Sequence, residues 1–439
     1  MSALERMLGE FAAQRADSAR ASVLTAARLS AAEALRTHAL PGRREENWRY
    51  TDLRLLERVP TFLPAAAMAA DGALALTSAL PAVLPGFARL VFIDGRLRPE
   101  LSLPDALHLE TLRNHASLAG ANHTDPKSIC FETSGDGRLG LLAGMFAPEP
   151  LSLRITGTVA LEIISMVASA AYSDIELRLA AHAKLTLVER HLAAPAPVVA
   201  EAASGTTALG CARLRLILDA DAQLVHTRLQ QADAAALCYD TVTASLAERA
   251  SYQLRHIAAG GGSARSTTQI RLQGRAATVR IRAAATAHAA QVADLSFTVL
   301  HEAPDTRSDQ LFRGIASDQA RVACSADVQV DPGAAGARVK QSLRGLIDGK
   351  GAEVDLRPRL TINTDDIQAT HGATTGRLDD DLLFYLLSRG LSAAEARSLL
   401  KWAFLGEAFS AIEPAALRRD AELAAAGRLS DSPAAELLQ

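Results

Sequence analysis

Between about residue 150 and residue 363, apolar and polar residues alternate in short runs. The runs are Leu151–Ile155, Ile175–Leu179, Lys184–Glu189, Ala212–Leu218, Gln223–Leu229, Tyr252–Ile257, Thr267–Leu272, Thr278–Arg282, Asp294–Leu300, Asp327–Val330, Glu353–Leu356 and Arg359–Asn363. Alternation with period two places one face of a strand in a core and the other outside it. Small turn residues separate the runs: Asp219-Ala-Asp-Ala, Gly260-Gly-Gly-Ser, Gln273-Gly-Arg-Ala, Asp331-Pro-Gly and Asp348-Gly-Lys-Gly. Short strands bracketed by turns predict an all-β architecture. The inward positions are Ala, Val, Ile and Leu, and the units continue without a break. Both features favour a stacked β-solenoid over a sandwich.

The ends of the chain carry a different period. Leu4, Met7, Leu8 and Phe11 recur at helical spacing, so residues 1–40 predict one or two helices ended by Pro41-Gly42. Next comes Glu45-Glu-Asn-Trp48-Arg-Tyr50-Thr-Asp-Leu, read as an aromatic anchor that ties the helices to the body. The proline-rich stretch 60–90 reads as a connector, and Leu90–Leu97 as a hairpin turning at Asp94-Gly95. Three helices follow residue 369. The first opens on Asp379, Asp380 and Asp381 and is closed by Gly390; the second starts with the capping box Ser392–Glu395; the third follows Pro414. The expected domains are therefore 1–90, helices and connector; 91–368, the β core; and 369–439, helical. A strand stack has open ends, and the terminal helices are expected to cover them.

Composition narrows the function. The hydrophobic share is 49%, but only 4% of residues are aromatic, which argues against a pocket walled by rings. A net charge of −3 offers no footprint for nucleic acid or an anionic membrane. No stretch approaches the roughly 20 clean apolar residues of a spanning helix, and the N-terminus does not read as a signal peptide. The expectation is a cytoplasmic protein. Cys130, Cys211, Cys238 and Cys324 include no Cys-x-x-Cys pair. There is no phosphate-binding loop, nucleophile elbow, zincin helix or dinucleotide fingerprint, so nucleotide chemistry would come from a partner. His182, His191, His226, His256 and His301 fall in or beside predicted strands and read as solvent-facing or satisfied by a neighbouring rung. His371 differs, because it lies at the strand-to-helix junction among Gly372 and Gly376. Its ordinary reading is a turn hydrogen bond; its sharper reading is an iron ligand or proton carrier.

The segment 311–409 carries Phe312-Arg-Gly-Ile, Val328-Gln-Val, Pro358-Arg-Leu, Asp365-Asp-Ile, His371-Gly-Ala-Thr-Thr-Gly, Phe384-Tyr-Leu-Leu-Ser-Arg-Gly and Glu395-Ala-Arg. Together with the Trp48 block, these strings resemble the SufB/SufD family of the SUF iron–sulfur assembly system, and within it the SufD branch. The resemblance implies a right-handed parallel β-helix flanked by N- and C-terminal helical regions. It implies a scaffold without enzymatic activity, paired with a SufB-like paralogue through the β-helix and its C-terminal edge. It also implies that a SufC-like ABC ATPase binds the C-terminal helices, for which Phe384, Tyr385, Arg389, Trp402 and Phe404 are the candidates. His371 is the residue it places at the interface where a transient cluster forms, with no cofactor held tightly by this chain alone. A homodimer of the isolated chain also fits. There are departures from the pattern. Ala369 stands where members often carry cysteine, and Cys324 and Ala326 stand where phenylalanine and glycine are usual. Gly372 replaces the acidic residue of SufB-type chains. Two other readings remain: a β-helix carbohydrate-active enzyme, disfavoured by the scarcity of aromatic platforms, and a purely structural homodimeric solenoid.

Overall fold

The structure is a computed structural model that describes residues 2–17, 23–64, 76–103, 135–193, 207–427 and 429. Cys130 and part of the 60–90 connector lie outside the described residues. Helices α1 (Ala3–Asp17), α2 (Val23–His38) and α3 (Gly140–Phe146) precede the rungs; α4 (Asp380–Ser388), α5 (Ala393–Phe409) and α6 (Ala415–Ala426) follow them. A first sheet contains β1 (Ala88–Ile93), β2 (Arg96–Leu97), β4 (Thr158–Val167), β6 (Lys184–Ala193), β8 (Gln223–Gln231), β10 (Ser251–Ala258), β12 (Thr278–Ala287), β14 (Arg307–Ser317), β16 (Ala337–Asp348) and β18 (Ile367–Gly376). A second contains β3 (Leu151–Ile155), β5 (Ala170–Leu179), β7 (Leu209–Leu218), β9 (Leu237–Leu246), β11 (Ser263–Leu272), β13 (Val292–His301), β15 (Arg321–Val330) and β17 (Glu353–Ile362). From β3 on the chain alternates between the sheets, and from β5 to β16 each strand pairs in parallel with those two before and two after it. This is the expected parallel β-solenoid, of about 7 turns. Ser251 lies beside Thr278, Thr278 beside Arg307 and Arg307 beside Arg338, so these three turns take 27 to 31 residues each.

One corner of the coil shows how local chemistry sets this period. His182, Asp221, Arg249, Ala276, Asp305 and Gly336 stand at successive turns with φ between 54° and 74°. A single left-handed residue reverses the chain without a long loop. Each donates its N–H to a carbonyl one turn on: His182 to Ala220, Asp221 to Glu248, Arg249 to Arg275, Ala276 to Pro304, Asp305 to Ala335 and Gly336 to Asp366, at 2.9–3.0 Å. The corner is thus a hydrogen-bonded ladder of its own, running parallel to the two sheets.

Inside the coil, Leu, Ile, Val and Ala from both sheets form a continuous core from Leu161 and Leu187 to Val339 and Leu343. The outer faces are covered too. The outer face of the first sheet (Val188, Leu229, Ile257, Leu311, Ile315, Leu346) packs on α5 and α6 through Leu405, Phe409, Ile412 and Leu417. The outer face of the second sheet (Tyr172, Leu209, Cys211, Leu237, Tyr239) packs on α1–α3 through Met7, Phe11, Leu35 and Phe146. The expected aromatic anchor is present: Trp48 is buried, with the Arg265 guanidinium 4.0 Å from its ring centre.

Two expectations are corrected. The helical region does not begin at 369, because β18 continues to Gly376 and α4 starts at Asp380. Nor do the terminal helices close the C-terminal end of the stack. The apolar outer faces of the sheets hold α1–α3 and α5–α6 along the flanks, because that is where exposed hydrophobic area would otherwise be largest.

Candidate functional site

The last turn consists of β17 and β18, the terminal strands of their sheets. Each pairs on one side only: β17 with β15 and β18 with β16. Their inner positions follow the phase of the core. Ile367 packs against the core, so Ala369, His371 and Ala373, at period two, point the same way. From β17, Val354, Leu356 and Leu360 contribute half-buried apolar side chains. Among the described residues the result is an open mouth, with His371 near its middle and no further rung above it. Residues 368–376 are all exposed.

Register explains what lies beneath the histidine. Gln310 of β14 is beside Gln341 of β16, and Gln341 is beside His371. All three share the inward phase of Phe312, Val339 and Leu343. Reading the sequence missed this column, because a lone glutamine in a strand gives no signal until neighbouring rungs align. Cys324, one rung beneath the terminal strand on β15, is 1% exposed, and burial pushes its thiol well up. It is a core side chain, and it does not replace the cysteine missing at Ala369. Among the described residues, no three His, Cys, Asp or Glu side chains converge into a group that would hold a metal ion.

The partner candidates separate into two groups. α4 is capped by Asp379, whose carboxylate accepts from the N–H groups of Asp381 and Leu382 at 2.9 and 3.0 Å, and it contains no buried residue. Phe384 is 73% exposed, Tyr385 and Leu382 are about half exposed, and Arg389 lies over the Tyr385 ring at 5.1 Å. Trp402 and Phe404, in contrast, are half-buried in the packing of α5, where Trp402 stacks on Phe409. α5 starts with the expected Ser392–Glu395 capping box. It is fastened to the solenoid by a contact between buried Lys401 and Asp348, and by Glu407 with Arg313 at 2.6 Å. α6 is fastened by Asp420 to Arg190 at 3.0 Å; Arg190 and Arg89 in turn clasp the fully buried Glu162. The α4 face is therefore free, while α5 and α6 are held rigidly.

His191, His226, His256 and His301 serve the interior. Glu189 accepts from Arg228 Nε at 2.7 Å and lies 2.9 Å from His191 and 3.1 Å from His226; Arg228 also donates to Asp240 at 3.0 Å. Burial alone would raise the Glu189 carboxyl, but Arg228 and His191 outweigh it and hold the group well below its usual range. Burial, reinforced by Arg228, pushes His256 down to about 3, and burial pushes His301 down to about 4. His182 is exposed, with its ring 3.8 Å from Asp221. These groups stabilise the coil and take no part in the mouth.

Comparison with known proteins agrees with the geometry. The family model for the SufBD core domain of SUF-system FeS cluster assembly matches residues 163–404, from within β4 to within α5. The chain is 29% identical over 404 residues to the iron–sulfur cluster assembly protein SufD of Escherichia coli, covering 88% of each chain. It is 28% identical over 417 residues to a SufBD family protein of Synechocystis, covering 90% of this chain and 89% of that one. A SufBD family protein of Mycobacterium leprae is 34% identical over 169 residues, 36% of this chain and 43% of its own. No helix among the described residues is long and apolar enough to cross a membrane. With the solenoid, its flanking helices and the His371 segment all inside or adjoining the matched region, this chain belongs to the SufB/SufD family of iron–sulfur cluster assembly proteins.

Proposed function

We propose that this chain is a non-catalytic scaffold subunit of a cytoplasmic SUF assembly complex, joined to a SufB-like paralogue through its last rung and to a SufC-like ABC ATPase through α4. The observation that carries the reading is the bare end formed by β17 and β18. Two unpaired strand edges beside an apolar opening favour association with another chain. A paralogue with the same fold presents strands at the same spacing, so both ladders and the core continue across the junction. The isolated chain would use the same edge to pair with a second copy.

In that junction His371 faces the partner. A neutral imidazole nitrogen is a suitable iron donor, and the imidazolium a suitable proton carrier. One histidine cannot hold a cluster, so the partner chain contributes the remaining ligands, and the nascent cluster is cargo that passes on. α4 offers Phe384, Tyr385 and Arg389, the aromatic and arginine types that anchor interfaces. Because α4 follows β18 after three residues, motion of the bound ATPase reaches the mouth directly.

Co-purification tests the reading. A tagged chain is expected to recover an ATPase and a larger paralogue; cleavage of a polysaccharide by the chain alone would overturn it. His371→Ala is expected to leave complex assembly intact and reduce cluster formation. Unchanged cluster yield from the intact complex removes the ligand and proton-carrier role.

A further inference from the structure

We propose that Gln341 is the positioning residue that sets the tautomer of His371. The two residues are directly opposite in the β16–β18 ladder and share the inward phase. Side chains in register on one face of neighbouring strands lie about 5 Å apart, within reach of a hydrogen bond between long polar groups. Gln341 is 3% exposed and its amide is already oriented: Nε2 donates to the Ala326 carbonyl of β15, across the interior, at 3.0 Å. That bond leaves Oε1 as the free end. It is buried and has no hydrogen-bond partner in the structure, and Gln310, one rung deeper, has none for either end of its amide. A buried acceptor without a partner costs about 1–3 kcal/mol, so a donor that reaches it is favoured.

The neighbour able to supply a donor from the mouth is the His371 ring. An amide oxygen only accepts, so the imidazole must turn an N–H toward it. The second ring nitrogen then carries the lone pair and faces the opening. Because Gln341 is uncharged, it fixes the tautomer without drawing a proton onto the ring, as a carboxylate in its place would. This inference rests on the reading of His371 as the interface residue, and its test is independent of cluster assembly.

Imidazole nitrogen NMR of the full chain, alone, gives the tautomer, with His371→Ala assigning the signals. Wild type is expected to show one dominant neutral tautomer. Gln341→Leu is expected to shift both ring nitrogens toward an average of the two tautomers. Should the ring shifts of the folded Leu variant match wild type, Gln341 does not position His371. Failure of His371→Ala to affect cluster yield would leave this result untouched.

Discussion

The two ends of the solenoid are built by opposite rules. At the N-terminal end, every residue of β1 is buried, and β2 folds back on it as an antiparallel hairpin. Gly95 in that turn has φ 77°, and a Cβ there would lie 2.0 Å from the Tyr172 carbonyl, so the turn closes directly onto the next rung. The neighbouring sheet ends in β3, only five residues long. Short edge strands and hairpin covers are ways to blunt an edge. At the C-terminal end both terminal strands are ten residues long, and β18 is exposed along almost its whole length. The N-terminal half also holds the buried Glu189–Arg228–Asp240 network, whereas β18 is mostly Ala, Thr and Gly with one histidine. One end is finished within the chain; the other, among the described residues, is left open.

This contrast can be broken in several ways. The largest effect is expected from Arg228→Leu, which strands two buried carboxylates. Loss of about 3–5 kcal/mol in urea unfolding is expected, and a loss below about 1 kcal/mol would show that the network carries little stability. Acid should act on the buried interior of the coil as well. His256 and His301 have depressed folded pKa values, so the unfolded chain binds their protons first. Stability is therefore present above pH ~6.5 and falls as pH drops toward about 4 and about 3. With both groups titrating, the slope reaches about 3 kcal/mol per pH unit, measurable as unfolding midpoints across pH. Asp174 adds a lower window. Burial raises its carboxyl, but Arg213 and Arg215 outweigh that and hold it at about 2. Its contribution is complete above pH ~4 and disappears as pH falls through 2.

At the open end the expected effects move from folding to association. Ala373→Lys puts a charge into the mouth and should weaken pairing with the paralogue at least about tenfold, or about 1.4 kcal/mol, with unfolding unchanged. Equal affinity for the paralogue would place the interface elsewhere. Phe384→Ala is expected to change stability by less than about 0.5 kcal/mol while weakening capture of the ATPase; a large loss of stability would mean that α4 is part of the core.

Much of the architecture was legible in the sequence. Alternating runs marked most of the central strands, and turn residues such as Asp221 and Ala276 fall at the left-handed corners. The helix caps at Asp379 and Ser392 were also readable, because a cap depends on a few adjacent residues. Other elements were not. β18 reads Ile-Gln-Ala-Thr-His-Gly-Ala-Thr-Thr-Gly and has almost no apolar alternation, since no described residue covers its exposed edge. β17 looked like two runs because Arg357, Pro358 and Arg359 interrupt the pattern, yet Pro358 fits on a sheet edge and the arginines reach Glu46 of the anchor segment. Trp402 and Phe404 looked like docking residues because apolar content does not say which side of a helix is already occupied.

The sequence by itself determined the coil of short strands, the helices at either end of the chain and the family, because local period, turn conformation and contiguous motifs survive in one dimension. Only the tertiary structure decided that the helices lie along the flanks and not over the end. It also decided that His371 stands at an open mouth above Gln341. Both depend on which rungs stack and which faces meet, contacts between residues about 30 positions or more apart that no local pattern specifies.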